Sequence, residues 1–246
     1  MKIVLFSDIH ANLPAFEKAL NLIDQLQPDA IYCLGDLVGY HVWPNEVINE
    51  IRKRGIPTIA GNHDAKVKKL SDAQLAEPGK NYAYSLIGTD EKKYLATLPA
   101  HIRVEYQLNN DLLTLLGVHG SPDSNDEYLL QDKDETAFLE VFRKSNANIL
   151  CFGHSHKPYH RVLTDQAEGQ TRYKHAINIG SIGKPKDGTP NGCFAVITIT
   201  ENTSVNDADS LQVELIHFEY DVEKAAKAIE DSPLSNEFAD MLRKGY

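Results

Sequence analysis

Five short segments of this 246-residue chain carry carboxylate, imidazole and amide side chains in patterns that suit metal binding. Each segment follows an apolar run, so its polar residues are expected on a loop at the end of a strand. Five of the ten histidines fall within these segments, a concentration that random scatter would not produce. The segments are Asp8-Ile9-His10, Gly35-Asp36, Gly61-Asn62-His63-Asp64, His119-Gly120 and Gly153-His154-Ser155-His156.

Two of these segments place metal-binding side chains two residues apart. Because side chains at i and i+2 of an extended segment point the same way, Asp8 and His10 can converge on one cation, as can His154 and His156. Asp36 has two carboxylate oxygens and can therefore bridge two cations. Asp-x-His alone is a weak signal, since many strands end in polar residues. The two histidines are the strongest single element, but they too are ambiguous without the other segments.

The remaining motif residues have more than one interpretation. Asn62 offers an amide oxygen as a ligand, which leaves His63 free to donate a proton or contact an anion. Asp64 can orient His63, but an exposed aspartate at a helix start is equally typical of this position. In isolation, His119 is interpreted as a buried core histidine. Together, the mixed nitrogen and oxygen ligands without cysteine favour a catalytic site for Mn, Fe, Zn, Co or Ni.

The first sixty residues alternate between apolar runs and helical periodicity, which predicts the elements that position the motifs. A parallel α/β arrangement places ligand sites beyond the carboxyl ends of its strands. The motif residues follow the predicted strands directly, as this arrangement requires. The predicted strands are residues 2–7, 30–34 and 56–60, and the predicted helices are residues 13–26 and 44–55.

The rest of the chain is expected to complete one domain spanning residues 1–246. Residues 65–99 contain no motif and predict an inserted helical segment, helical from about 79 to 98, that covers the site. Asn109-Asn110 predicts a hairpin turn between two strands. Residues 136–144 predict a helix, residues 147–152 a strand, and residues up to 218 a β-rich region. A helical tail is expected at about residues 222–246.

Composition limits the partners. The net charge of −10 argues against a stable complex with nucleic acid and against binding to an anionic membrane. A small phosphate ester, including a nucleotide, remains compatible because bound metals would supply positive charge. No signal-peptide core or membrane span is evident, so a cytoplasmic protein is expected, and a homo-oligomer is left open. The three cysteines are expected to be buried, reduced thiols.

The order of the five motifs resembles that of the calcineurin-like metallophosphoesterases, from residue 3 to about residue 199. Within that superfamily the chain resembles the small prokaryotic phosphodiesterases of the YfcE, MJ0936 and MJ0912 type. The resemblance implies an α/β sandwich of two mixed β-sheets flanked by helices. It also implies two divalent transition-metal ions, with Mn expected and Fe, Zn, Ni or Co as alternatives.

The same resemblance assigns a role to each motif residue. Asp36 would bridge the two ions. His63 would be the catalytic histidine, with Asp64 as its partner. The first ion would be held by Asp8, His10, Asp36 and His156, and the second by Asp36, Asn62, His119 and His154.

The implied reaction is hydrolysis of a small phosphodiester by direct attack of a hydroxide that bridges the two metals. Hydrolysis of a phosphomonoester or a nucleotide polyphosphate at the same site is the alternative, and a non-catalytic interaction scaffold is a third hypothesis. The motif segments contain no arginine, which favours diesters, and Lys184 and Lys186 are expected to be solvated loop charges.

Several residues outside the motifs have two interpretations. Tyr40, His41 and Trp43 follow Asp36 and either line a substrate pocket, with an aromatic ring stacking on a base, or pack within their loop. Asn178 and Ser181 either support the site from behind or form a structural turn. The remaining histidines are expected to be structural or on the surface: His101, His160, His175 and His217.

Overall fold

The protein is described by a computed structural model that covers residues 1–76, 79, 81–108, 112–167 and 169–246. The strands are β1 Lys2–Phe6, β2 Ala30–Cys33, β3 His101–Gln107, β4 Leu112–Val118, β5 Ile149–Phe152, β6 Tyr159–Ala167, β7 Gln170–Asn178, β8 Gly192–Thr198 and β9 Gln212–Phe218. They form a four-stranded sheet in the order β2-β1-β8-β9 and a five-stranded sheet in the order β3-β4-β5-β7-β6.

Both sheets are mixed. In the first, β1 pairs parallel with β2 and antiparallel with β8. In the second, β5 lies between β4 and β7 in two parallel pairings, and β3 and β6 close the edges in antiparallel pairings. The predicted sandwich of two mixed sheets flanked by helices is therefore confirmed.

Helices lie on both sides of the two sheets. They are α1 Leu13–Leu26, α2 Pro44–Arg54, α3 Asn62–Val67, α4 Asp72–Ala76, α5 Tyr82–Ser85, α6 Thr89–Thr97, α7 Glu135–Ser145, α8 Val222–Glu230 and α9 Glu237–Lys244. Across the described ranges, no helix combines the length and apolar character needed to cross a membrane.

The two sheets share one core. Apolar side chains from the first sheet, such as Ile3 and Leu5, pack with Leu115, Ile149 and Ile177 of the second. All five are almost fully buried, and each contributes about 1.5–3 kcal/mol relative to an exposed side chain. This packing brings strand ends from both sheets to the same side of the molecule.

The outer faces of the sheets are covered by helices. Phe6 of β1 packs against Phe16 of α1 and Ile48 of α2. Phe152 of β5 packs in the same way with Phe138 of α7. The helix side of these contacts is the apolar stripe from which the helices were predicted. The contacts fix the orientation of β1 and β5 and therefore the position of the loops that follow these strands.

The start of α1 shows how one of the site loops is closed. The Asn12 side chain accepts a hydrogen bond from the backbone N–H of Ala15 at 3.2 Å, and Pro14 lies in the first turn. An asparagine cap with proline in the first turn satisfies or removes orphan donors at the helix start. The chain therefore turns from β1 into α1 within the few residues that include Asp8 and His10.

Two local predictions need correction. Residues 56–60 do not form a strand; Thr58 makes a single parallel bridge to Cys33, in a segment where Pro57 lacks a backbone N–H. The helix predicted from about 79 to 98 is divided into α5 and α6, separated around Gly88. The antiparallel pairing of β3 and β4 is confirmed, whereas the predicted Asn109-Asn110 turn lies outside the described residues.

Two helices occupy the region of the predicted C-terminal tail. Ile229 of α8 and Leu242 of α9 share a buried cluster with Ala83 of α5, and Trp43 packs against it. The end of the chain therefore contacts the loop after β2 and the helical segment after α3, both of which border the motif residues.

Candidate metal centre

The motif residues meet at one end of the sandwich. Asp8 follows β1 and Asp36 follows β2 of the first sheet, whereas His119 follows β4 and His156 follows β5 of the second. Parallel strands present their carboxyl ends on one edge, and the shared core aligns the edges of the two sheets. The predicted convergence of these loops is what the structure shows.

Asp8 forms one half of the cluster. Its Oδ1 lies 3.0 Å from His156 Nε2 and 3.6 Å from His10 Nε2. The two imidazole nitrogens are 3.2 Å apart. A carboxylate and two imidazoles thus point at one small volume, which is a suitable ligand set for a transition-metal ion.

Asp36 connects this half to a second one. Its Oδ2 lies 3.3 Å from His119 Nε2 and 3.7 Å from His10 Nε2. Asn62 Oδ1 is 3.0 Å from the same His119 nitrogen. The position of Asp36 between the two groups is the one expected of a bridging ligand.

Three imidazole rings are oriented by the backbone behind them. His10 Nδ1 donates to the carbonyl of Val38 at 3.0 Å, and His119 Nδ1 donates to the carbonyl of Leu34 at 2.9 Å. His156 Nδ1 donates to the carbonyl of Lys184. Because Nδ1 directs its proton to a backbone carbonyl, Nε2 is the ring nitrogen that each of the three histidines presents to the cluster.

The two carboxylates each have one satisfied and one unsatisfied oxygen. Asp8 Oδ2 accepts from Ser7 Oγ at 2.7 Å and from the backbone N–H of His154 at 3.1 Å. Asp36 Oδ1 accepts from the backbone N–H of His63 at 2.8 Å. Among the described residues, Asp8 Oδ1 and Asp36 Oδ2 are buried without a hydrogen-bond donor. Leaving a buried carboxylate oxygen unpaired is costly, so the donor set fits a cation.

The electrostatics of the cluster also demand positive charge. Burial alone would raise the pKa of Asp8 and Asp36, but the neighbouring histidines hold both values below the usual range. Burial lowers the pKa of His119, yet the Asp36 charge overrides this and raises it to about 10. The proton on His119 thus offsets the charge of Asp36 in the place where a metal ion would do so. Binding of the metal would release this proton.

Left-handed backbone conformations concentrate in the site loops. Asp8, His10, Asp36, His154 and His156 all have φ between 51° and 62°. Such values are uncommon outside glycine and cluster at functional sites, where the surrounding structure enforces them. The loops are therefore held in shapes that aim their side chains inward.

Close backbone approach explains two of the motif glycines. A Cβ at Gly61 would collide with the Asp36 carboxylate, and a Cβ at Gly153 would collide with that of Asp8. Glycine at these positions is required because each loop passes directly behind a ligand carboxylate.

His154 lies at the edge of the cluster. Its ring centroid is 5.1 Å from that of His119, and the ring stacks on Tyr128 at 4.3 Å with an interplanar angle of 11°. Its backbone N–H, as noted, donates to Asp8. The structure therefore brings His154 next to the predicted second ion but does not place its nitrogens in the groups formed by the other ligands.

His63 points into the cluster from α3. One of its ring nitrogens lies within 4.8 Å of ligand atoms of His10 and Asp36. Its Nδ1 is hydrogen-bonded to the hydroxyl of Tyr84, and the two rings are nearly parallel, with an interplanar angle of 15°. Burial lowers the pKa of His63 to about 3. Tyr84 belongs to α5, a segment in which no sequence motif indicated a functional residue.

Asp64 contacts the backbone rather than His63. Its Oδ2 accepts from the N–H of Asp36 at 2.7 Å and of Gly61 at 3.0 Å, and its Oδ1 accepts from the N–H of Leu37 at 3.0 Å. Burial and the Asp36 charge raise the pKa of Asp64 to about 7, although these backbone donors act in the opposite direction. Asp64 thus joins two ligand-bearing loops, and the side chain that meets His63 Nδ1 is Tyr84.

Tyr40 lies beside the cluster. Its ring centroid is 4.8 Å from those of both His10 and His63, and Phe238 of α9 packs edge-on at 5.4 Å. Trp43, in contrast, packs in the cluster formed with the C-terminal helices. Of the aromatic residues after Asp36, Tyr40 therefore borders the site and Trp43 serves loop packing.

The two lysines expected in solvent lie close to the site. Lys184 is 5% exposed, with its Nζ 4.8 Å from the centroid of the Tyr40 ring and 3.8 Å from Met241 Sδ. Lys186 is half-buried, and the charges of Asp8 and Asp36 act on its ammonium group. The expectation of solvated loop charges is therefore wrong.

Residues at the end of β7 and in the loop that follows support the cluster from behind. Ser181 Oγ donates to the carbonyl of Asp8 at 2.8 Å, and Asn178 Nδ2 donates to the carbonyl of Gly153 at 3.0 Å. His41 is also buried here, with Nδ1 donating to the carbonyl of His10 at 2.8 Å. These bonds restrain the loops that carry the ligands.

Sequence comparison identifies relatives with the same architecture. Residues 1–202 match the calcineurin-like phosphoesterase superfamily domain. The chain is 29% identical over 244 residues to MJ0912 of Methanocaldococcus jannaschii, an uncharacterized protein, covering 92% of this chain and 91% of that one.

Structural comparison agrees. A metallophosphoesterase from Sphaerobacter thermophilus is 26% identical with a TM-score of 0.75, covering 100% of this chain and 99% of that one. The hypothetical protein PH1004 from Pyrococcus horikoshii OT3 shares the fold, with 23% identity, a TM-score of 0.76 and coverage of 100% and 98%. The chain therefore belongs to the calcineurin-like phosphoesterase superfamily, which implies a metal-dependent hydrolase of phosphate esters.

Proposed function

We propose that this protein is a dinuclear metal-dependent phosphoesterase that hydrolyses a small phosphodiester. One observation carries the proposal: Asp8 Oδ1 and Asp36 Oδ2 are buried without a donor among the described residues, within 3.0–3.7 Å of imidazole nitrogens. Structural aspartates do not need such an arrangement, because a single backbone N–H would satisfy each oxygen at lower cost.

The donor set divides into two groups that share Asp36. Nitrogen and oxygen ligands together suit Mn, Fe, Zn, Ni or Co better than Ca or Mg. When bound, the two cations would supply a hydroxide nucleophile at neutral pH and neutralise charge on the phosphate oxygens. One ion would be held by Asp8, His10, Asp36 and His156, and the other by Asp36, Asn62, His119 and His154.

His63 would assist departure of the leaving group. Its Nδ1 is hydrogen-bonded to the side-chain hydroxyl of Tyr84, whereas Nδ1 of His10, His119 and His156 is bonded to a backbone carbonyl. If the hydroxyl donates to Nδ1, the proton of the neutral ring resides on Nε2. The ring can then donate a hydrogen bond to the leaving oxygen as its charge develops.

A second candidate is hydrolysis of a phosphomonoester or a nucleotide polyphosphate at the same site. The lack of arginine in the motifs favoured diesters, but Lys184 and Lys186 border the cluster. Their charge would help to bind the additional negative charge of a terminal phosphate. This alternative therefore has a specific observation in its favour.

A substrate panel separates the candidates. Protein reconstituted with Mn²⁺ should be assayed against cyclic nucleotides, acyclic diesters, monoesters and dinucleoside polyphosphates, with kcat/KM as the measure. The proposal expects the highest kcat/KM for a diester. A higher kcat/KM for monoesters or polyphosphates would favour the second candidate. Protein that neither binds Mn²⁺ nor hydrolyses any of these substrates would support a non-catalytic scaffold.

A further inference from the structure

A small pocket adjoins the metal centre on the side of His154. It has a volume of about 230 Å³ and is lined by Tyr128, Leu130, Ser155, Lys157 and Lys186. We call these five residues the outer pocket. Ser155 lies in the ligand loop itself, and the Tyr128 ring stacks on His154, so the outer pocket begins where the ligand cluster ends.

The outer pocket has two lysines and no carboxylate among its lining residues. The ammonium groups of Lys157 and Lys186 are close enough to repel each other, and none of the ion pairs within 4 Å in the described structure involves either one. Two ammonium groups that face one pocket without forming an ion pair can therefore both bind an anionic ligand. The backbone N–H of Lys186 donates to the carbonyl of His156 at 3.3 Å, which places Lys186 beside the ligand loop.

The other wall is apolar and open. Tyr128 is 51% exposed and Leu130 is 42% exposed. His154 covers one face of the Tyr128 ring, so the exposed part of the side chain offers surface to a ligand. Exposed aromatic and aliphatic groups next to cations suit a ligand that combines a phosphate with a sugar or a base.

We propose that the outer pocket binds a second phosphate of the substrate, while the adjoining sugar or base contacts Tyr128 and Leu130. This inference rests on the proposed function, because it assumes that the scissile phosphate occupies the metal centre. The substrate class is then a phosphodiester that carries a further phosphate, such as a dinucleotide with a terminal phosphate.

The matched substrates are thymidylyl-thymidine and its 5′-phosphorylated form. Both contain the same scissile diester, and chromatography distinguishes nucleotide release from loss of the terminal phosphate. Hydrogen bonds to charged groups contribute about 1.5–3 kcal/mol, so the phosphorylated form should have a kcat/KM about tenfold higher or more. Equal values for the two substrates in the wild-type enzyme would overturn the proposal.

Charge variants identify the residues responsible. In the double variant Lys157→Gln/Lys186→Gln, the ratio of the two kcat/KM values should fall toward one. Lys186→Arg keeps the charge and should preserve the preference. Lys18→Gln should also preserve it, because this variant removes an exposed lysine of α1 that does not line the outer pocket. An unchanged ratio in the double variant would contradict the assignment.

Failure of the proposed function gives a different result. If the metal centre does not hydrolyse diesters, the wild type will cleave neither dinucleotide nor bis-p-nitrophenyl phosphate. Calorimetric Kd values of the Mn²⁺-loaded protein for the two dinucleotides then provide the same comparison without turnover. Tighter binding of the phosphorylated form would support the outer pocket, and equal Kd values would refute it.

Discussion

The ligand cluster and its rim are built by different means. In the cluster, backbone groups behind Asp8, Asp36 and three histidines fix one atom of each side chain and leave another facing inward. The rim consists of Tyr40, Tyr84, Tyr128 and Lys186, which come from separate segments and contact the ligands mainly through their rings and charge. We infer that the buried, restrained residues set the chemistry and that substrate choice depends on the less restrained rim.

Loss of the shared carboxylate should have the largest effect. Asp36→Asn keeps the shape of the side chain but removes the charge between the two ligand groups. Activity should fall by more than the roughly 10–100-fold that loss of an outer partner costs a metal site. Measurement of kcat/KM together with bound Mn²⁺ checks this, and a fully active variant would show that Asp36 is not a ligand.

Removal of His63 should cost less and should depend on the leaving group. His63→Ala should lower kcat by about 10²–10⁴-fold for a diester with an alkyl leaving group. The loss should be much smaller for bis-p-nitrophenyl phosphate, because p-nitrophenolate needs little assistance. The metal content should be unchanged; equal losses with both substrates would contradict a role at the leaving oxygen.

Tyr84 provides a sharper test of the rim. Tyr84→Phe removes the hydroxyl that meets His63 Nδ1, and a net hydrogen bond is worth about 0.5–1.5 kcal/mol. The kcat for an alkyl leaving group should therefore fall about three- to tenfold, with KM and the p-nitrophenyl reaction little changed. A uniform loss for all substrates would indicate a structural role only.

Asp64→Asn is the contrasting variant, in the helix that also carries His63. The amide nitrogen would replace one of the two oxygens that together accept three backbone N–H groups, so the free energy of unfolding should fall by about 1–3 kcal/mol. Urea denaturation measures this loss. A leaving-group dependence like that of Tyr84→Phe, without loss of stability, would restore Asp64 as the partner of His63.

The smallest effect concerns histidines away from the cluster. His160 Nε2 and His175 Nδ1 are 3.0 Å apart, and burial lowers the pKa of His175 to about 4. The unfolded chain, with a histidine pKa of about 6.5, binds more protons between these values. The contribution of His175 to the free energy of unfolding should therefore decrease as the pH falls from about 6.5 to 4 and should level off below.

The matched variants are His175→Gln and the exposed His101→Gln. The first should weaken the pH dependence of the free energy of unfolding over this range, and the second should leave it unchanged. Denaturant titrations at several pH values provide the measurement. The same slope in all three proteins would exclude His175 as its source.

The sequence predicted the cluster because its residues follow strands directly. The apolar runs of β1, β2, β4 and β5 identify those strands, and parallel strand ends meet at one edge whatever the details of the loops. Residues 56–60 show the limit of this reasoning, since an apolar run containing Pro57 made one bridge instead of a strand.

There is a physical reason why the rim could not be predicted from the sequence. Tyr84 and Tyr128 reach the site only through tertiary packing of segments without periodicity or motif, and no spacing in the sequence places them beside His63 or His154. Lys184 is buried because Tyr40 and Met241 enclose it, which depends on where α9 packs. The role of Asp64 is hidden for a similar reason, since two of its three partners are backbone groups of the loop that carries Asp36.

The most direct test of the account is the number of divalent cations bound per chain. Protein purified without chelator and dialysed against Mn²⁺ should be analysed by plasma mass spectrometry alongside Asp36→Asn. We expect two equivalents in the wild type and a clear loss in the variant. Metal near zero in the wild type, or equal metal in both proteins, would contradict the claim that the buried carboxylates share two ions.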